Sequence, residues 1–155
     1  KGDSESAALT SQIDIMPTLL EVTGTPVTSR LKKQIEGRSL VPFFKDPNAE
    51  WEKRTLVHHA GGWKRGDAAK SKHERVAIQN DQFTLVFNEE LYDLKADPGE
   101  TNNVITEHPE IVKTLRKAYD KWWEKVTPRM INEDQYLEPE TMKKNNKARH
   151  QSFEK

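Results

Sequence analysis

Apolar residues recur along this chain in two rhythms, one suited to helices and one to strands. Over 14–23 they fall at Ile15, Met16, Leu19, Leu20 and Val22, the one-sided spacing of a short helix. Asp14 can cap that helix, Pro17 sits in its first turn where a missing N–H does no harm, and Gly24 with Pro26 closes it. A helix so apolar on one side must dock on something. From Thr28 to Glu36 the chain turns polar and basic. Gly37 to Phe44 then supplies a compact apolar plug, with a short helical turn, ahead of a turn at Asp46-Pro47-Asn48.

The rhythm changes at Thr55. Thr55–His59, Arg75–Gln79, Phe83–Phe87 and Glu90–Leu94 are short runs rich in branched and aromatic residues, which favour extended backbone. Only Asn80-Asp81-Gln82 separates the second run from the third, so a hairpin with a three-residue turn is expected there. Residues 60–74 separate the first from the second, a longer, glycine-containing and basic connection than a hairpin requires.

At Asp97-Pro98-Gly99 the proline pre-sets φ and the glycine is expected to supply the freedom to reverse. Helical rhythm then returns from Pro109 to Val126. Ile111, Leu115, Ala118, Trp122 and Val126 mark its stripe, Val112, Tyr119 and Trp123 widen it, and Pro128 ends it. Four short strands leave one sheet face to cover, and a helix of about five turns with two tryptophans can cover it. The fold class is therefore α+β. Beyond Arg129 apolar residues thin out, and Lys143 to Arg149 reads as a solvated charge run.

Composition narrows the possible functions. A chain of 155 residues, 34% hydrophobic and 32% charged, suits one polar domain with a small core. Its apolar runs are far short of the roughly 20 residues a membrane helix needs, so no membrane partner is expected. With 25 basic and 25 acidic residues the formal charge is zero, which leaves no global field to steer nucleic acid, and basic residues are not interleaved with aromatics. Without cysteine there can be no disulfide, thiolate metal site or cysteine nucleophile. The start at Lys1-Gly2-Asp3, without Met or a leader, suggests an excised or mature segment.

Candidate chemistry concentrates in the 60–74 connection. His58 and His59 end the first strand, and alternation sends their side chains to opposite faces. Gly61 and Gly62 let backbone approach a ligand closely, Trp63 offers a flat face, and Lys64 and Arg65 supply charge-assisted hydrogen bonds. Lys64, Arg65, Lys70, Lys72 and Arg75 against Asp67 and Glu74 leave a local excess of three positive charges, for which an anion is the natural partner. The alternative is a solvated, mobile loop whose basic residues keep it soluble. None of the five histidines stands in a metal-ligand spacing, and no serine lies in a nucleophile elbow or phosphate loop. His108, just before Pro109, reads as a capping or surface position.

Three stretches carry a resemblance: Ser11-Gln12-Ile13-Asp14-Ile15-Met16-Pro17-Thr18-Leu19-Leu20-Glu21, then Glu36-Gly37-Arg38-Ser39-Leu40-Val41-Pro42, then Glu90-Leu91-Tyr92-Asp93-Leu94 through Asn103-Val104. In order and spacing the chain resembles the C-terminal part of an arylsulfatase-type sulfatase, of the alkaline-phosphatase-like superfamily, over about residues 8 to 135. The resemblance implies a small subdomain with a four-stranded antiparallel sheet under a long C-terminal helix. It also implies a preceding helical segment that docks on a large α/β domain.

It divides the chain into 1–50 at the seam with that domain, 51–128 as the subdomain, and 129–155 as a polar tail. For the parent enzyme it implies sulfate ester hydrolysis by a formylglycine beside calcium or magnesium, with no cofactor in this segment. Partners are then the N-terminal catalytic domain of the same protein and a sulfate ester substrate. The resemblance further implies a periplasmic or secreted location.

The formylglycine motif, Cys/Ser-x-Pro-x-Arg, is absent, because none of the eight prolines has Cys or Ser two positions before it. The segment is therefore expected to be inactive alone. Gln12 stands where many members carry histidine, and Asp14 reads as a helix cap. Such subdomains often lean a loop over the active-site mouth, which makes His58 or His59, Trp63, Lys64 and Arg65 candidate substrate contacts. The competing function is a free-standing module for sulfated glycans or other polyanions, using the 63–75 loop and the 143–149 tail.

Overall fold

A computed structural model describes residues 5–64 and 67–129. The tail expectation and Arg65 lie outside the described residues. Four helices, α1 (Ile15–Val22), α2 (Ser29–Lys32), α3 (Val41–Lys45) and α4 (Pro109–Val126), flank four strands, β1 (Leu56–His59), β2 (Val76–Gln79), β3 (Phe83–Val86) and β4 (Glu90–Asp93). The sheet is an antiparallel meander in the order β1-β2-β3-β4. α4 lies across the central strands β2 and β3, and the fold is α+β as expected.

Register decides which residues form the core. Val57 faces Ile78, and Ile78 in turn faces Leu85, which faces Leu91. Because side chains alternate, this row sits on one face. Ile78, Leu85 and Leu91 are fully buried under α4, which contributes Val112, Leu115, Tyr119 and Trp123. The buried stripe of the helix is thus rotated from the expected one. Its centre runs Val112, Leu115, Tyr119, Trp123, while Ile111, Ala118, Trp122 and Val126 are only half-buried on the flank. Tyr119, the largest fully buried side chain, also finds an acceptor there, the carbonyl of Lys72.

Three turns refine the sequence reading. Asn80 N–H donates to Phe83 O at 2.9 Å, so only Asp81 and Gln82 lie outside the β2–β3 ladder, one residue fewer than expected. The Asn80 carboxamide oxygen accepts from Gln82 N and Phe83 N, an Asx turn that replaces a glycine. β3 reverses into β4 through Phe87 and Asn88, both left-handed at φ 49° and 64°. At Asp97-Pro98-Gly99 the left-handed residue is Glu100 (φ 52°), not the glycine. Asp97 compensates by accepting from the backbone N–H groups of Thr101 and Asn102.

α1 ends in a full Schellman motif: Gly24 at φ 64° donates to Glu21 O, and Thr25 donates to Leu20 O. Its expected apolar side is exposed. Ile15, Met16, Leu19 and Val22 all face solvent, with Ile13 just before them, and Thr18 is the only buried residue of the helix.

Candidate functional site

Two regions carry the chemistry, and the first holds α1 to the sheet. Asp14 does not cap α1 with its side chain. Its carboxylate is completely buried and accepts Ser11 N at 2.8 Å, Arg38 N at 2.8 Å and two guanidinium N–H groups of Arg54. Burial alone would raise its pKa. The Arg54 guanidinium and the two backbone donors overcome that and hold it at about 2. Arg54 also donates to Leu9 O, an acceptor shared with the Trp51 indole N–H at 3.0 Å. Gly37 makes this closure possible, since a Cβ there would lie 1.8 Å from Ile13 O.

The second region is the β1–β2 connection, whose described residues 60–64 and 67–74 are folded and not merely solvated. Ala60 N–H donates to Arg75 O, so the ladder runs one pair past β1. Gly61 and Gly62 then turn the chain at φ 61° and 79°. Successive turns over 67–74 bury Ala68 and Ser71. His59 faces α4, and its ring lies 5.2 Å from Trp63, 5.4 Å from Trp123, 6.2 Å from Trp122 and 6.3 Å from Tyr119. Its Nδ1 accepts Gly61 N–H at 3.0 Å, and its buried Nε2 has no hydrogen-bond partner among the described residues. Burial lowers its pKa, helped by the positive Arg75, against the pull of the Lys72 and Ser71 carbonyls.

The structure therefore separates the four described candidate residues, His58, His59, Trp63 and Lys64. His59 and Trp63 sit together in the aromatic packing over α4, and His58 points from the opposite, open face. On that face His58, Ala77, Gln79, Thr84 and Val86 line a shallow depression bordered by Arg75, Phe87 and Glu100. Lys64 is exposed at the loop surface. One of the three excess charges is already used, since Lys72 pairs with Asp120 outside the loop at 2.5 Å, while Lys70 pairs with the loop's own Asp67 at 2.9 Å. Asp120 and Arg54 had no signal in sequence, because each meets its partner 40 or more positions away.

Neither region fits the catalytic group of a sulfatase. Among the described residues no three carboxylate or imidazole side chains converge on a point where a metal could sit. The four lone-pair directions of Asp14 are all occupied by N–H donors. No Cys/Ser-x-Pro-x-Arg motif from which formylglycine could be made exists in the sequence.

The fold is a small antiparallel meander under one helix, with the apolar side of α1 turned outward among the described residues. Comparison with known proteins identifies its family. The family described as N-sulphoglucosamine sulphohydrolase, C-terminal, matches residues 1–125, and the chain belongs to that family of sulfatase C-terminal domains. It is similar to an N-acetylglucosamine-6-O-sulfatase of Bacteroides thetaiotaomicron, 32% identical over 113 residues that cover 67% of this chain and 19% of the relative. It is also similar to arylsulfatase K of Rattus norvegicus, 30% identical over 125 residues, 74% of this chain and 21% of the relative.

Among solved structures, BT4656 in complex with its substrate D-glucosamine-2-N,6-O-disulfate shares the fold, with a TM-score of 0.51 and 24% identity. That alignment covers 79% of this chain and 25% of the other. The chain thus spans about a fifth of the curated relatives' length. No helix among the described residues is long and apolar enough to cross a membrane.

Proposed function

We propose that this chain is the non-catalytic C-terminal part of a sulfuric ester hydrolase, where it scaffolds the larger catalytic domain and places the 60–74 loop at the substrate entrance. The observation that carries the proposal is α1: four of its apolar side chains, Ile15, Met16, Leu19 and Val22, with Ile13 just before them, stand exposed on a helix that the buried Asp14–Arg54 pair fixes to the sheet. A rigidly mounted apolar face of this kind is one half of an interface. Residues 1–50 form the seam, 51–128 the subdomain and 129–155 the tail.

The nucleophile and its calcium or magnesium belong to the catalytic domain, which the segment needs for activity. Export to the periplasm or the cell exterior fits such an enzyme. Because one relative is an N-acetylglucosamine-6-O-sulfatase, a sulfated amino sugar is the first substrate to try and an aryl sulfate the second.

His59 at the end of β1 and Trp63 in the loop serve to shape the segment, and exposed Lys64, with Arg65 beside it in sequence, to meet a remote anion of the substrate. His58 would contact substrate only if the open face turns towards the catalytic domain. In the full-length enzyme, Lys64→Ala should raise KM several-fold with kcat little changed, the loss of about 1 kcal/mol of uniform binding. Unchanged KM on every sulfated sugar tried would end the loop's role in substrate choice. Salt-dependent binding of heparin by the 155-residue chain alone, with no hydrolysis by the full-length protein, would favour the free-standing polyanion module instead.

A further inference from the structure

We infer that His59 is a proton-operated latch on the Gly61–Gly62 turn. The imidazole accepts Gly61 N–H on Nδ1, so in this state Nδ1 carries no proton and Nε2 carries the ring N–H. The second proton can therefore add only at Nδ1. Once there, two N–H groups face each other at a separation that is now 3.0 Å, and the Gly61 hydrogen bond is lost. What must give way is the glycine pair, since the ring itself is held among Trp63, Tyr119, Trp122 and Trp123. Aromatic faces attract an imidazolium, so the charged ring stays in place while the turn moves. Gly61 and Gly62 are the residues best able to change φ and ψ without steric cost, and Trp63 and Lys64 follow directly.

The charged groups around the ring decide the direction. Arg75, just before β2, opposes a second positive charge, and the carbonyls of Lys72 and Ser71 favour it. On α4 Asp120 is engaged by Lys72, and the Tyr119 hydroxyl is neutral, with its pKa raised to about 12 by burial. His73 packs against Tyr119 at 5.6 Å, and His58 lies on the other face of β1. The latch therefore opens only below the ordinary imidazole value of 6.5. It does not depend on the proposed substrate or on sulfatase activity.

The test uses the full-length protein with 15N-labelled histidine and glycine and 5-fluorotryptophan, titrated by NMR from pH 8 to about 4.5, around and below the usual histidine range. The expected result is an Nε2–H tautomer for His59 at neutral pH. One transition below 6.5 should be shared by the His59 ring, the Gly61 amide and the Trp63 fluorine signal. His59→Asn, whose carboxamide oxygen can accept from Gly61 but cannot titrate, should abolish the transition at Gly61 and Trp63, whereas His73→Asn and His58→Asn should leave it. An Nδ1–H tautomer in the unmodified protein overturns the inference without any variant. So does a Gly61 amide that ignores the His59 titration, or a transition that persists in His59→Asn.

Discussion

Asp14 illustrates how much a single buried group can determine. Its partner Arg54 is nearly as buried, with 8% of its side chain accessible, so removing one charge leaves the other stranded in the interior. Arg54→Ala should cost about 3–5 kcal/mol, read from the urea midpoint, because Leu9 O loses two donors as well. The folded-state pKa of Asp14 lies below its unfolded value, so its contribution is present above 3.8 and lost as pH falls towards about 2. That loss amounts to roughly 2 kcal/mol, and Asp14→Asn should abolish this part of the acid sensitivity. Two glycines make a further contrast. Gly37→Ala forces a Cβ to within 1.8 Å of the Ile13 carbonyl, whereas the nearest atom at Gly99 is 3.6 Å away and its φ is ordinary. Thermal denaturation should show Gly37→Ala losing about 3 kcal/mol or more, while Gly99→Ala changes stability by less than about 1.

At the scale of elements, α4 was legible in the sequence to the residue, because Pro109 starts it, Pro128 follows its end and a 3.6-residue rhythm runs between them. Its orientation was not. Ile111, Val112, Leu115, Ala118, Tyr119, Trp122 and Trp123 form so broad an apolar band that periodicity alone cannot pick its centre. The sheet register does that, by placing Ile78 and Leu85 beneath Leu115 and Tyr119 in one buried cluster. Leu115→Ala should therefore cost about 2–5 kcal/mol and Val126→Ala well under half of that, both measured by denaturant unfolding.

The strands were equally readable from their branched and aromatic runs. Their turns were harder, because Asn80 and Glu100 take roles through side-chain hydrogen bonds and left-handed backbone that residue type signals only weakly. For the candidate site, alternation in β1 gave the opposed faces of His58 and His59, but not which face α4 would cover.

The described residues are unbalanced as a whole, with a closed core on one side and the apolar face of α1 open on the other. Leu19→Asp should leave the unfolding of the isolated 155-residue chain within about 0.5 kcal/mol of the parent sequence, since Leu19 is 58% exposed. In the full-length protein the same change should lower the thermal midpoint by several degrees, for it would bury a carboxylate in the interface. Equal effects in both settings would mean that nothing covers α1.

The sequence by itself determined the elements, their order, the α+β class and the family, since local propensity, proline and glycine placement and hydrophobic period act over a few residues. Tertiary structure alone decided that Asp14 answers Arg54 and that Lys72 answers Asp120. It likewise decided that His59 and Trp63 turn into the aromatic packing while Lys64 stays outside. Those choices depend on which distant groups the fold brings within hydrogen-bonding reach, and no local pattern carries that distance.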